Sequence, residues 1–418
     1  MRKFNQVLNY SKEERLITVQ TGITWRKIIK LIDADNLSVS VMQSYASFTV
    51  GGSLSVNVHG RYRNPLISTV EDIKIIVANG TVIQASPFKH SELFYGAIGG
   101  YGGLGVITEV TLKLSENFKM ERVSIPLQLN QYVDFFMKNL RDDPNVIMHN
   151  ALLYPDKYSE VRVVAHLKTF KPLTIVHRLR SKKRGISMNR FLTSAMTRLP
   201  GRLEIRRQLL DPVRFSKGIV LHRNYEATSE TADVEPLFED TTFILQEYFV
   251  PLTKFQEFVL GMKSVLLRYK VDVMNVSIRQ SRPDPGSILA WATQEVFAFV
   301  VYYQQERNQQ TQEQDRVWTR ELIDVVLSCG GKFYLPYQIH ATERQFHEAY
   351  PRAVEFFELK NQIDPEYKFL CSSVVRSAVA NDTEELRETC CCIPKLISVE
   401  FETHVRKNLQ TIGGNTFR

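Results

Sequence analysis

Thr49-Val-Gly-Gly-Ser-Leu-Ser-Val-Asn-Val-His-Gly60 is the stretch on which the fold reading turns. Two adjacent glycines open it and a His-Gly pair closes it. A residue without Cβ takes positive φ easily and lets a ligand come close to the main chain, so the bracketed run suits a flat ligand lined by backbone. Working outward, Leu16-Ile-Thr-Val-Gln-Thr-Gly22 precedes it as a strand-like run. Asp72-Ile-Lys-Ile-Ile-Val-Ala78 follows it and ends in the turn Asn79-Gly80. Ser91-Glu-Leu-Phe-Tyr-Gly-Ala-Ile-Gly-Gly100 reads as a helix entering glycines, and Gly105-Val-Ile-Thr-Glu-Val-Thr-Leu-Lys-Leu114 alternates as a strand.

Gly100-Tyr-Gly-Gly-Leu-Gly105 also fits G-x-G-x-x-G. A dinucleotide fingerprint of the Rossmann type follows a strand and opens a helix. Here the glycines follow a helix and open a strand, so that reading is set aside.

Taken together, these segments resemble the PCMH-type FAD-binding domain of the vanillyl-alcohol oxidase / p-cresol methylhydroxylase flavoprotein superfamily. Within it the chain is most similar to the branch of sugar, aldonolactone and alditol oxidoreductases that includes decaprenylphosphoryl-ribose oxidase. The resemblance implies an α+β fold, with an FAD-binding domain and a substrate cap built on an antiparallel sheet. Carried over position by position, it makes Ser44, Thr49, Val50, Gly51, Gly52, Val56, Asn57, Val58, His59, Gly60, Val106, Ile107 and Tyr334 the flavin-contacting set.

The segments Lys332 to His340, Phe346 to Arg352 and Ile363 to Phe369 match the family's return to the first domain, in the same order. The expected division is therefore 1–116 for the second FAD subdomain, 117–335 for the cap, 336–370 for the return and 371–418 for an extension. Superfamily members place a further βαβ segment with a glycine-rich pyrophosphate turn before the run at Leu16. Only fifteen residues precede Leu16 here and none is glycine. The expectation is a chain cut from a longer protein, binding FAD without a covalent link, since the linking His usually lies in that segment. Loss of the segment together with the cofactor is the alternative.

With 418 residues and 44% hydrophobic content, the chain is long enough for a large core and two domains. No apolar run reaches the ~20 residues of a membrane span, and Met1 to Lys12 lacks a signal-peptide core. A cytoplasmic location is expected. Five cysteines, four of them after residue 370, do not make a disulfide framework. Cys390-Cys-Cys392 places neighbours where a metal site wants C-x-x-C spacing, so no metal is expected.

The net charge of +8 is concentrated. Fourteen Lys and Arg against two acids between Lys168 and Lys217 give a local balance of +12, which leaves the rest of the chain at −4. The core of this segment, Arg178-Leu-Arg-Ser-Lys-Lys-Arg184, is interleaved with apolar residues. It reads either as a solvated face or as a basic surface for an anionic membrane, with peripheral attachment. No nucleic-acid motif accompanies it, and nucleic acid is not an expected partner.

Oxidising an alcohol with flavin needs a base for the hydroxyl proton and positive charge beside the reduced ring. Arg279, in the alternating run Val273 to Arg279, matches an arginine that sugar and alditol oxidases place near the flavin. Relatives carry a glutamate two residues earlier, where this chain has Ser277. They also carry a substrate-binding lysine in the segment equivalent to Tyr334 through His340, where this chain has none. Tyr337 with His340 is the expected proton-handling pair, packing of both in the domain seam being the other reading.

The function expected is FAD-dependent oxidation of a sugar-, lactone- or polyol-type hydroxyl by hydride transfer to flavin N5. The alternatives are a flavin-dependent reductase of a C=C bond of the sterol type and a flavin-free relic that binds membranes through its basic segment.

Overall fold

The computed structural model describes residues 3–181, 201–229 and 241–369. Two antiparallel sheets organise them. The first has the order β1(Val7–Ser11), β2(Leu16–Gln20), β6(Val106–Glu116), β4(Val70–Ile76), β5(Val82–Ala85), with β3(Leu37–Val39) pairing further along β6. Helix α1(Trp25–Ile32) packs here because its Trp25, Ile28, Ile29 and Ile32 form one apolar stripe, and Thr24 caps it by accepting from the Lys27 N–H. Helices α2(Val50–Ser55) and α3(Ser91–Ala97) complete the unit. The 100–105 glycines leave α3 and enter β6, in the order that set the Rossmann reading aside. Gly105 is required there: its φ is +149°, and a Cβ would lie 2.4 Å from the Ile76 carbonyl oxygen.

The second sheet has eight strands in the order β10(Ile219–His222), β7(Lys119–Gln128), β9(Glu160–Lys168), β8(Val146–Leu153), β12(Val273–Ser281), β13(Val296–Glu306), β11(Thr241–Pro251), β14(Lys332–Phe333). The pleat sends alternate residues to opposite faces. One face takes the helices α4(Leu129–Asn139), α5(Phe255–Arg268) and α6(Gln309–Ser328). Phe255 and Phe258 lie 5.5 and 4.9 Å from Phe299, Tyr132 lies 5.4 Å from Phe297, and Trp318 meets Tyr303 edge-on at 5.0 Å. Burying each such ring contributes roughly 1.5–3 kcal/mol.

The opposite face carries no helix of this group and bears Glu247 and Arg279. Register puts Ser277, Val300 and Glu247 in one cross-strand row, and Arg279, Ala298 and Phe249 in the next.

After β14 the chain turns back to the first sheet. The Tyr334 hydroxyl donates to the Val56 carbonyl at 2.7 Å. Helices α7(Glu343–Ala349) and α8(Ala353–Ile363) follow, and Lys360 of α8 ties Gly103, Asp364 and Phe369 together through one buried ammonium.

The basic segment is largely neutralised where it is described. Lys171 pairs with Glu121, Arg178 with Asp33, Arg202 with Asp272, Arg206 with Asp211, and Arg207 with Asp156 and Glu160. Lys182, Lys183 and Arg184 of its core lie outside the described residues, as does the 371–418 extension.

Candidate active site

The glycines of the 49–60 stretch provide space rather than free donors. Thr49 caps α2 by accepting from the Gly52 N–H, the Val50 and Gly51 N–H groups go to the Ile23 and Thr21 carbonyls, and the Ser53 N–H goes to Thr49. A Cβ on Gly51 would stand 3.0 Å from Thr21 Cβ. Thr21 in turn donates from Oγ1 to the Ile107 carbonyl at 2.5 Å, which binds the start of β6 to the start of α2.

Against this surface lies a cleft of about 740 Å³, lined by Asn5, Gly22, Thr24, Lys27, Ser47 and Phe48 on one side and by Thr49, Gly52, Val56, Val58 and Pro336 on the other. Of the expected contact set, Thr49, Gly52, Val56 and Val58 line it. Gly51, Val106 and Ile107 stand behind them through Thr21, and Ser44 neighbours Tyr45, whose ring stacks on Phe48. Val50 is fully buried in the core, and a Cβ on Gly60 would lie 2.1 Å from the Met42 carbonyl oxygen, so both face the interior.

Asn57 adopts a left-handed φ of +45°, a region that Asn tolerates better than most residues. The turn is held from all sides: Nδ2 donates to Asp284, Oδ1 accepts the Ile67 N–H, and the carbonyl accepts Trp291 Nε1. It aims His59 inward, where the imidazole meets Trp291 at 5.0 Å and Phe249 at 5.5 Å.

One residue beyond the cleft-lining Pro336, Tyr337 belongs to a polar centre. His59 Nε2 is 2.5 Å from Glu247 Oε1, both side chains being only 2% exposed, and the Tyr337 hydroxyl donates to Glu247 Oε2 at 3.2 Å. Burial pushes the Glu247 carboxyl upward, but His59, Arg279 and the Tyr337 hydrogen bond outweigh it and hold the group below its ordinary value. Burial and the Glu247 charge push the Tyr334 and Tyr337 phenols well above theirs, so both remain O–H donors. Arg279 acts electrostatically on Glu247 and on both tyrosines, and its Nε is buried without a hydrogen-bond partner among the described residues.

The expected pairing of Tyr337 with His340 is not formed. Tyr337 turns to Glu247, whereas His340 hydrogen-bonds Gln338 at 3.1 Å and offers its carbonyl to Arg320. Burial, with Arg316 and Arg320 nearby, pushes the His340 imidazole down to about 4. Glu247, which the sequence reading passed over, occupies the place beside Tyr337.

A roomy cleft lined by Phe48, Val56, Val58 and Pro336 fits a flat heteroaromatic ring. Residues 1–86 match the family model described as FAD binding domain, and residues 110–377 match the model described as D-arabinono-1,4-lactone oxidase. The chain belongs to the D-arabinono-1,4-lactone oxidase family. It is an FAD-dependent oxidoreductase of the PCMH-type fold. The L-gulonolactone oxidase of Mus musculus is 22% identical over 380 residues, 89% of this chain and 83% of the mouse protein. Over shorter spans, the putative D-arabinono-1,4-lactone oxidase of Neurospora crassa is 30% identical, covering 28% of this chain and 21% of its own length. The mitochondrial L-galactono-1,4-lactone dehydrogenase of Arabidopsis thaliana is 33% identical, covering 26% of this chain and 18% of its own length.

Proposed function

We propose that this chain oxidises a hydroxyl of an aldonolactone- or polyol-type substrate, with hydride transfer to flavin N5. Bound FAD supplies the two-electron acceptor. Thr49, Gly52, Val56 and Val58 would hold its ring side through the cleft they line. Arg279 carries the reading: the side chain is only half-buried, but its Nε–H is buried with no acceptor among the described residues, a costly arrangement unless a ligand supplies one. Its position in the row beside Glu247 lets it hold a hydroxyl oxygen or the anionic edge of a reduced ring. Phe249, Trp291 and Tyr334 pack their rings around His59.

The test is anaerobic mixing of the FAD-loaded chain with L-gulonolactone, L-galactono-1,4-lactone, D-arabinono-1,4-lactone and simple alditols, following flavin absorbance. One of them should bleach the flavin, and Arg279→Met should slow bleaching by about 100-fold or more, the usual effect of removing one preorganised donor from a charge-developing site. Bleaching by NADPH and by none of the lactones or alditols would refute the proposal in favour of a reductase.

A further inference from the structure

A carboxylate buried at the seam of two units is costly unless it is paired and hydrogen-bonded. Glu247 has both kinds of support, and the support is lopsided. His59 Nε2 sits on Oε1 at 2.5 Å. His59 Nδ1 is buried with no partner, so the hydrogen-bond network assigns the ring's proton to Nε2. Oε2 receives only the longer Tyr337 bond of 3.2 Å. A carboxylate oxygen accepts two hydrogen bonds, and this one keeps a place open. On the same sheet face, across β13 and one row along, Arg279 acts electrostatically on this carboxylate, and its Nε–H is a buried donor with no acceptor among the described residues. An open acceptor and an open donor on one face are the complement of one hydroxyl group, which accepts from the guanidinium and donates to the carboxylate.

We propose that Glu247 is the catalytic base that takes the substrate hydroxyl proton, with His59 as the positioning residue that fixes its other oxygen. The proposal rests on the lactone or polyol oxidation reading above. In the step, the O–H bond breaks and its proton passes to Glu247 Oε2. The C–H bond breaks and its electron pair leaves with the hydride for the oxidised flavin, while the pair released from O–H closes the carbonyl. The substrate loses two electrons and the flavin gains them. Arg279 stabilises the oxygen as the proton departs, which offsets the modest basicity of a carboxylate surrounded by donors. The titratable groups facing Glu247 are His59 from the 49–60 segment, Arg279 from β12, and Tyr334 and Tyr337 from the return loop. Of these only His59 holds Oε1, so it sets which oxygen is free.

The FAD-loaded full chain carrying Glu247→Gln keeps the shape and one acceptor oxygen but cannot take a proton. Anaerobic flavin reduction by the best wild-type substrate should fall 10²–10⁴-fold. The calorimetric Kd for that substrate should weaken by no more than about tenfold, the difference in strength between a charged and a neutral acceptor. Flavin content and melting temperature should stay near wild type. The wild-type rate should fall at acid pH as Glu247 protonates, and Glu247→Gln should lose that limb. In His59→Gln the acid limb should move to higher pH, a shift that a purely structural histidine would not cause. If Glu247→Gln reduces flavin within threefold of an active wild type, the proposal is overturned while the oxidation reading stands. If Glu247→Gln fails to fold, an unmoved acid limb in His59→Gln overturns it. A wild-type flavin that no lactone or polyol reduces overturns both.

Discussion

Replacing Lys360 with Met tests the tie between the return helix and the first sheet. Its ammonium is 1% exposed and spends all three protons at 2.8 Å, on the Gly103 carbonyl, Asp364 Oδ2 and the Phe369 carbonyl. Asp364 is fully buried and otherwise receives only the Lys368 and Phe369 N–H groups. Met fills nearly the same volume, so the loss is electrostatic: a carboxylate left uncompensated in the interior. Breaking a buried pair in this way costs about 3–5 kcal/mol, a large part of the roughly 5–15 kcal/mol that holds a typical domain folded. The assay is urea unfolding at pH 7 read by the fluorescence of Trp25, Trp291 and Trp318, all of which are buried. Adding Asp364→Asn removes the orphaned charge and keeps an acceptor for one of the two N–H groups, which sit on different oxygens. The double variant should lose only about 3 kcal/mol, for two carbonyls and one N–H left without partners at roughly 1 kcal/mol each. A loss below about 1 kcal/mol in Lys360→Met, or a double variant as unstable as the sum of the two singles, would refute the reasoning.

Acid should act through histidines held neutral. Burial pushes His149 down to about 3 and His166 and His340 to about 4, so the unfolded chain gains protons near pH 6.5 that the folded chain refuses. Their contribution is full above pH 6.5, declines as pH falls toward about 4, and levels off once the folded rings titrate; each adds a slope of about 1.4 kcal/mol per pH unit. His149→Phe, in a pocket formed by Tyr132 and Phe136, should reduce the slope of stability between pH 4.5 and 6 by that amount, and an unchanged slope in urea titrations counts against it. Gly60→Ala should cost about 3 kcal/mol, the upper end of overpacking, because its Cβ meets the Met42 carbonyl oxygen. Gly52→Ala, whose Cβ meets only Thr49 Oγ1 at 3.2 Å, should fold normally and lower flavin content instead, a contrast that absorbance ratios at equal protein concentration will resolve.

The elements of the fold announce themselves locally. Leu16 to Gln20, Val106 to Leu114 and Val273 to Arg279 alternate with the period of a strand, and the glycine spacing between them separates this fold from the Rossmann type. The candidate site is less legible because its central pair is distant in sequence. Glu247 lies in Ile244-Leu-Gln-Glu-Tyr-Phe-Val250, and an acid inside so apolar a run was the available sign that something buried awaits it. Its partner His59 lies 188 residues away. Tyr337 and His340 were expected to pair because one donates a hydrogen bond and an unperturbed imidazole titrates near neutral pH, yet the loop after Pro336 sends them to different neighbours. Counting charge along the basic segment had the same weakness, since Asp33, Glu121, Asp156 and Asp272 reach it from elsewhere in the chain.

The span between His59 and Glu247 also governs when this centre comes into existence. Pairings across such long loops are entropically late, and the last two contributors, Tyr334 and Tyr337, sit in the segment that returns after the eight-stranded sheet has recruited β14. Until then Glu247 stands on a sheet face with neither His59 nor Tyr337, too costly to bury and free to stay wet. The aromatic wall around this carboxylate is therefore complete only where both halves of the chain have met.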